Sequence, residues 1–251
     1  AFRPDFVLSY WAHPDGAVAV RAAHEFGVPG GFIVGGSDIL VLARQGGARG
    51  RAISHAVQSA DAVIAVSNQL RDAIIRLGTT PERAHVVYQG VDRELFAPGD
   101  RAEARRRLKM NFQGDIILFV GNLVPVKGLE VLLGACRQLR ERGREFKLYL
   151  IGQGPLRQSL EVQAESLGLK DRMTFVGSVV QHELPDWYRS ANVTVITSHS
   201  EGIPNVLRES MACQTPFVAT RVGGINEIAS GTDNILVPPG DSTAFPDALV
   251  K

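Results

Sequence analysis

Residues 116–152 read IILFVGNLVPVKGLEVLLGACRQLRERGREFKLYLIG, and the fold is decided there. Ile116–Val120 is a continuous apolar run, as expected of a strand buried on both faces of a parallel sheet. Gly128–Arg142 then changes to an amphipathic helical period, which Gly143 ends as a C-terminal glycine cap. Phe146–Ile151 is the next strand, so the stretch is one strand–helix–strand unit.

The same alternation runs outward in both directions. Upstream strands are expected at Phe6–Ser9, Gly31–Val34, Ala62–Val66 and His85–Tyr88. Downstream they fall at Met173–Val176, Val193–Thr197, Pro216–Ala219 and Ile235–Val237. Leu156–Leu167 is a second amphipathic helix. Thr80-Pro81-Glu82 and Pro155 mark helix starts, and Gly168 occupies another cap position. Repeated units of this kind predict a doubly wound α/β protein. The seam lies near Gly90–Asp100, which gives a first domain over 1–94 and a second over 95–251. Four strands are few for an open doubly wound sheet, so the first domain reads as incomplete. The chain opens on Ala-Phe-Arg-Pro-Asp without an initiator methionine and closes on Ala-Leu-Val-Lys inside an apparent helix, so further sequence is expected beyond both ends.

Composition narrows the class. The 251 residues carry 27 basic and 26 acidic side chains, a net charge of +1. That balance argues against a general nucleic-acid binder, which needs a basic surplus on some face. The densest basic stretch, Arg101–Lys109, has helical spacing and reads as a solvated helix face. Cys136 and Cys213 sit far apart in apolar contexts, as buried free thiols of a reducing compartment. No apolar run reaches the roughly 18–20 residues of a membrane span.

In open parallel sheets ligands bind beyond the carboxyl ends of the strands, so the loops after the strands matter most. The first, Gly121-Asn122-Leu123-Val124-Pro125-Val126-Lys127-Gly128, sets a cation and free amides at a helix start. On its own it reads as a plain turn as readily as a phosphate site. The second runs from Ser198 through Glu201-Gly202-Ile203-Pro204 to Glu209. Pro204 has first-turn character, so a helix is expected from there to Cys213, with its positive end toward the same crevice as Lys127. An ionised carboxylate only accepts hydrogen bonds, which suits gripping sugar hydroxyls, and Val206, Leu207 and Met211 give Glu209 a half-buried setting. Eight helical residues span about 12 Å, more than the carboxylate pairs of glycosidases require, which lowers a hydrolase reading. The third loop, Thr220–Glu227, opens a helix with paired glycines and reads equally as a tight turn or a backbone approach to phosphate. Gly152-Gln153-Gly154 lacks the third glycine of a dinucleotide fingerprint. There is no G-x-S-x-G and no P-loop either.

Together these segments resemble the retaining family-4 glycosyltransferases of the GT-B fold, over almost the whole chain. The landmarks are the loop 121–128, Glu201-Gly202-Ile203-Pro204 through Glu209, Val222-Gly223-Gly224 with Glu227, and Leu236-Val237-Pro238-Pro239-Gly240-Asp241. Ala60–Ser67 and Gly90-Val91-Asp92 with Phe96 and Pro98 add to them. The resemblance implies two Rossmann-like parallel-sheet domains facing a cleft, and transfer from a nucleotide diphosphate sugar, UDP- or GDP-linked, to a saccharide or lipid-linked acceptor. Lys127 and Glu201 would be the catalytic residues, Lys127 at the diphosphate and Glu201 at the transferred sugar. Glu209 would hold the ribose. Gly121, Asn122, Gly202 and the backbone at Ile203, Asn205 and Val206 would complete the donor site, with Val179 near the base. No metal and no further cofactor are implied. A cytoplasmic protein in contact with the inner face of the membrane is.

Two positions depart from the family pattern. Asn122 replaces the usual phosphate-binding arginine, for which Arg221 is a candidate substitute. Gly35-Gly36-Ser37-Asp38 stands where the family has His-Gly-Ser-Asp. His13 and Asp38 are therefore candidates for sugar or acceptor contact. A nucleotide-sugar binding module without turnover, or an epimerase or phosphorylase of the same fold, is the competing expectation.

Overall fold

The computed structural model describes residues 3–250. The first sheet is built by β1 (Val7–Tyr10), β2 (Gly30–Val34), β3 (Ala62–Ala65) and β4 (Ala84–Val86). Its helices are α1 (Ala17–Phe26), α2 (Gly47–Ser59) and α3 (Asn68–Arg76). The order is β1-β2-β3-β4 with every pair parallel.

The second part begins with α4 (Arg101–Arg107). There follow β5 (Asp115–Val120), α5 (Leu129–Glu141), β6 (Phe146–Ile151), α6 (Arg157–Ser166), β7 (Met173–Gly177) and α7 (Leu184–Ser190). The chain continues through β8 (Val193–Ile196), α8 (Asn205–Ala212), β9 (Phe217–Thr220), α9 (Ile225–Ala229), β10 (Ile235–Val237) and α10 (Ala244–Leu249). The strand order is β10-β9-β8-β5-β6-β7, again all parallel. From β5 the chain winds outward one way to β7, then returns to the other side of β5 with β8. That reversal is the switch point of a Rossmann sheet.

Side-chain alternation on β5 shows why the sheet needs two covering layers. Ile117 and Phe119 join Leu129, Leu132, Leu133 and Cys136 of α5 in one buried cluster. Ile116 and Leu118 join Phe96, Tyr188 and Cys213 in another. Each such side chain contributes about 1.5–3 kcal/mol on burial, which explains an apolar run without polar interruption. The first sheet has its own cluster, with Phe32, Val34, Ile53, Val63 and Ile74.

Contacts divide the chain into two compact units. The first holds the chain through Gln89 together with Ser200–Ile203 and Gly223–Ile228. The second holds Gly90–His199, Pro204–Val222 and the chain from Ala229 onward.

Local differences from the sequence reading have physical causes. Thr80-Pro81-Glu82 starts a single turn, Pro81–Arg83, because Ala84 already pairs with Val63 in the sheet. Pro204 stands just outside α8 with ψ 129°, and the helix begins at Asn205. The basic helix α4 is more than a solvated face. Arg105 donates to the Ser190 carbonyl at 2.9 Å and to Asn192 Oδ1 at 2.7 Å, while Arg107 grips Asp186 at 2.7 and 2.8 Å.

Candidate functional site

In the second unit, β5 and β8 lie side by side at the switch point, so their following loops meet. His199 N donates to the Val126 carbonyl at 2.8 Å, and Thr197 Oγ1 donates to the Lys127 carbonyl at 2.9 Å. Gly128 has φ 58°, and a Cβ there would collide with the Thr197 carbonyl oxygen. Glycine is therefore required where the two loops touch. Lys127 ends the turn Pro125–Lys127 and is half-buried; Asn122 is exposed. His199 Nε2 lies 2.9 Å from Glu130 Oε1 beside this loop.

The loops after β6 and β7 stack on the same end. Gly121 N donates to the Ile151 carbonyl at 2.9 Å and Gly152 N to the Gly177 carbonyl at 2.8 Å. A side chain on Gly152 would strike the Gly121 carbonyl oxygen. Close backbone approach thus accounts for Gly152, the residue that imitates a dinucleotide fingerprint. Val179 and Val206 pack against the same apolar cluster. Arg221 is exposed, its guanidinium 3.5 Å from the Leu236 carbonyl.

Helix α8 carries Glu209, which is half-buried as expected from its apolar neighbours. Its carboxylate Oε2 accepts a 2.6 Å hydrogen bond from the Tyr188 hydroxyl. Burial, and then the adjacent Glu209 charge, raises the Tyr188 phenol well above its ordinary value, so it remains a proton donor. The next residue, Ser210, is fully buried and lies 2.7 Å from Thr194 Oγ1 and 2.8 Å from the Thr215 carbonyl. These contacts fix the rotation of α8 about its axis. Sequence reading missed Tyr188, and nothing in spacing connects position 188 with 209.

Glu201 belongs to the first unit, so the structure groups it apart from Lys127 and Glu209. Within that unit the Glu201–Gly202 peptide is enclosed by glycines. A Cβ on Gly36 (φ 138°) would lie 2.9 Å from Gly202 N, and one on Gly223 (φ 58°) would collide with the Glu201 carbonyl. Gly224 N donates to the Gly202 carbonyl at 2.7 Å. Gly223 and Gly224 thus both lie against the Glu201–Gly202 peptide.

Asp38 supports the facing loop. It is fully buried and its carboxylate accepts from the amides of Ala12, Gly35, Gly36 and Ile39 at 2.9–3.4 Å. Burial, the larger influence, raises its pKa against those four bonds. Its oxygens thus face the fold, and His13, half-buried after β1, follows the tethered Ala12 in the chain. Glu227, also in the first unit, accepts from Asn68 N at 3.0 Å, Gln69 N at 3.2 Å, Asn68 Nδ2 at 2.9 Å and the Tyr88 hydroxyl at 2.8 Å. The turn at Gly223-Gly224 and the start of α9 are thereby anchored to the start of α3.

Among the described residues, no group of three or more His, Cys, Asp or Glu is arranged to hold a metal ion. Among them also, no helix is long and apolar enough to cross a membrane.

Comparison with known proteins places these features in a family. Residues 114–251 match the family described as glycosyl transferases group 1, and residues 1–95 match glycosyltransferase family 4. The D-inositol 3-phosphate glycosyltransferase of Frankia alni is 36% identical over 261 residues, covering 96% of this chain and 63% of that protein. The chain spans between about half and two thirds of the length of the curated relatives it matches. Among solved structures, the sucrose-phosphate synthase of Thermosynechococcus elongatus superposes with a TM-score of 0.86 at 27% identity, over 98% of this chain and 63% of that one. Anabaena HepE, solved in complex with UDP, gives a TM-score of 0.81 at 24% identity, over 97% and 67%. The two parallel sheets are those of the GT-B fold, and the chain belongs to the glycosyl transferases group 1 family.

Proposed function

We propose that the protein transfers a sugar from a nucleoside diphosphate sugar to a saccharide or lipid-linked acceptor, with retention of anomeric configuration and without a metal ion. The observation that carries this reading is the switch point between β5 and β8, where Lys127 ends one loop and α8, bearing Glu209, follows the other. Lys127 and the first amides of α8 supply positive charge to a diphosphate. Glu209 accepts from the ribose hydroxyls, and Glu201 from the transferred sugar. Gly121, Gly202, Ile203, Asn205 and Val206 line the donor, with Val179 toward the base. The presence of UDP in HepE, a protein of the same fold, supports a uridine donor, with a guanosine donor as the alternative.

In the transfer step the bond between the anomeric carbon and the diphosphate oxygen breaks, leaving the electron pair on that oxygen. The acceptor hydroxyl forms the new carbon–oxygen bond on the same face and gives its proton to the departing diphosphate oxygen. Lys127 and the helix amides stabilise the charge that grows on the leaving diphosphate, a preorganised electrostatic role. The test is incubation of the intact protein with UDP- and GDP-sugars and saccharide acceptors, in the presence of a chelator. Products with the donor's anomeric configuration, read by NMR, support the proposal. Inverted products, isomerised donor or phosphate-dependent cleavage contradict it.

A further inference from the structure

Tyr188 heads the largest fully buried side chains among the described residues. Its ring lies edge-on to Phe96, with centroids 6.0 Å apart and planes at 67°, inside the cluster beneath β5. The hydroxyl emerges from that apolar setting directly at Glu209. A buried phenol requires an acceptor, and any backbone carbonyl would serve. Here the acceptor is the carboxylate that the proposed reading assigns to the nucleotide ribose.

We infer that Tyr188 is a positioning residue for nucleotide recognition, its hydroxyl fixing the Glu209 carboxylate in the orientation that accepts the paired hydroxyls of a ribose. This rests on the reading of Glu209 given above. The separation of 2.6 Å is that of a direct hydrogen bond from the hydroxyl to the carboxylate oxygen. The donor is itself immobile, because Thr215 Oγ1 donates to the Tyr188 carbonyl at 2.7 Å and the ring is enclosed. The acceptor's helix is tied to the same Thr215 through Ser210, which also meets Thr194. A glutamate otherwise has several free torsions, and ordering them on binding lowers affinity. Tyr188 orders them in the folded protein before the ligand arrives.

The experiment is calorimetric titration of the intact protein with UDP, GDP and ADP, followed by the 2′,3′-dideoxy analogue of the tightest. In the unaltered protein the ribose ligand binds more tightly than its dideoxy analogue. Tyr188→Phe keeps the ring and is expected to weaken the ribose ligand about tenfold while leaving the dideoxy ligand within about twofold, roughly the share of one charge-assisted hydrogen bond. In a Glu209→Ala background the same substitution is expected to change nothing further. Equal weakening of both ligands indicates a structural role and overturns the inference, as does no weakening of either.

A second measurement covers a Tyr188→Phe variant that does not fold. Side-chain carbon relaxation of Glu209 in the ligand-free protein reports its picosecond–nanosecond motion. A rigid side chain supports the inference; a mobile one overturns it. No binding of any nucleoside diphosphate by the unaltered protein, or full binding by Glu209→Ala, removes the donor-site reading and this inference with it. Selective failure of Tyr188→Phe to alter ribose preference removes only the inference.

Discussion

Replacing Glu227 with glutamine keeps its shape and removes its charge, at a carboxylate that receives four hydrogen bonds. Two come from the backbone amides of Asn68 and Gln69, the first two residues of α3, and the others from Asn68 Nδ2 and Tyr88. Hydrogen bonds to a charged group are worth about 1.5–3 kcal/mol against about 0.5–1.5 for neutral ones. The positive end of α3 adds roughly 0.3–1 kcal/mol for an anion. Glu227 is partly exposed, so solvent screening reduces both, and a net loss of about 1–2 kcal/mol is expected. For a chain of this size each kcal/mol moves the melting temperature by about 2–4 °C, which gives a fall of roughly 2–8 °C by calorimetry. The pH dependence follows from the carboxylate's pKa. Burial works to raise it, but the bonds from Asn68, Tyr88 and Gln69 together prevail and hold it below the ordinary 4.5. A depressed acid stabilises fully above its unfolded value, and that contribution is lost as pH falls through the folded value. The difference between the two proteins is therefore full near neutrality and narrows as pH drops below 4.5. Equal melting temperatures near pH 7, or a gap that widens in acid, refute the reasoning.

Two further outcomes follow from the site and the core. Burial pushes the thiols of Cys136 and Cys213 up to about 12 and about 11, so neither reacts with a thiol reagent at mildly alkaline pH in the folded protein. Both become reactive in guanidinium, and rapid reaction of either under native conditions contradicts the packing. Asn122→Arg adds a guanidinium to the exposed loop after β5 and is expected to tighten nucleoside diphosphate binding by about 1 kcal/mol, roughly fivefold. Unchanged affinity places that position away from the diphosphate.

Strand positions were legible because burial on both faces of a parallel sheet leaves no polar residue in runs such as Ile116–Val120. The loops after β5 and β8 were legible for the same reason, since a strand end identifies the loop that follows it. Pairings were not: Ile117 lies beside Val193, and no local pattern records contact between strands so distant in sequence. The glycines illustrate this limit. Gly128, Gly152 and Gly223 each announce an unusual backbone, yet the reason at each is a carbonyl from elsewhere in the chain, at Thr197, Gly121 and Glu201. Charged residues were the least legible. Arg105, read as part of a solvated face, is held by Ser190 and Asn192, and Asp38 is consumed by four backbone amides. Side-chain chemistry alone does not distinguish a carboxylate that meets a ligand from one that holds a loop.

Donor binding at Lys127 and Glu209 is the central claim, and calorimetry of nucleoside diphosphate binding to the intact protein tests it most directly. Lys127→Ala and Glu209→Ala are each predicted to weaken binding by more than about 1 kcal/mol, over fivefold in affinity. Unchanged affinity in both variants, with the unaltered protein binding normally, would place the nucleotide elsewhere and contradict the account.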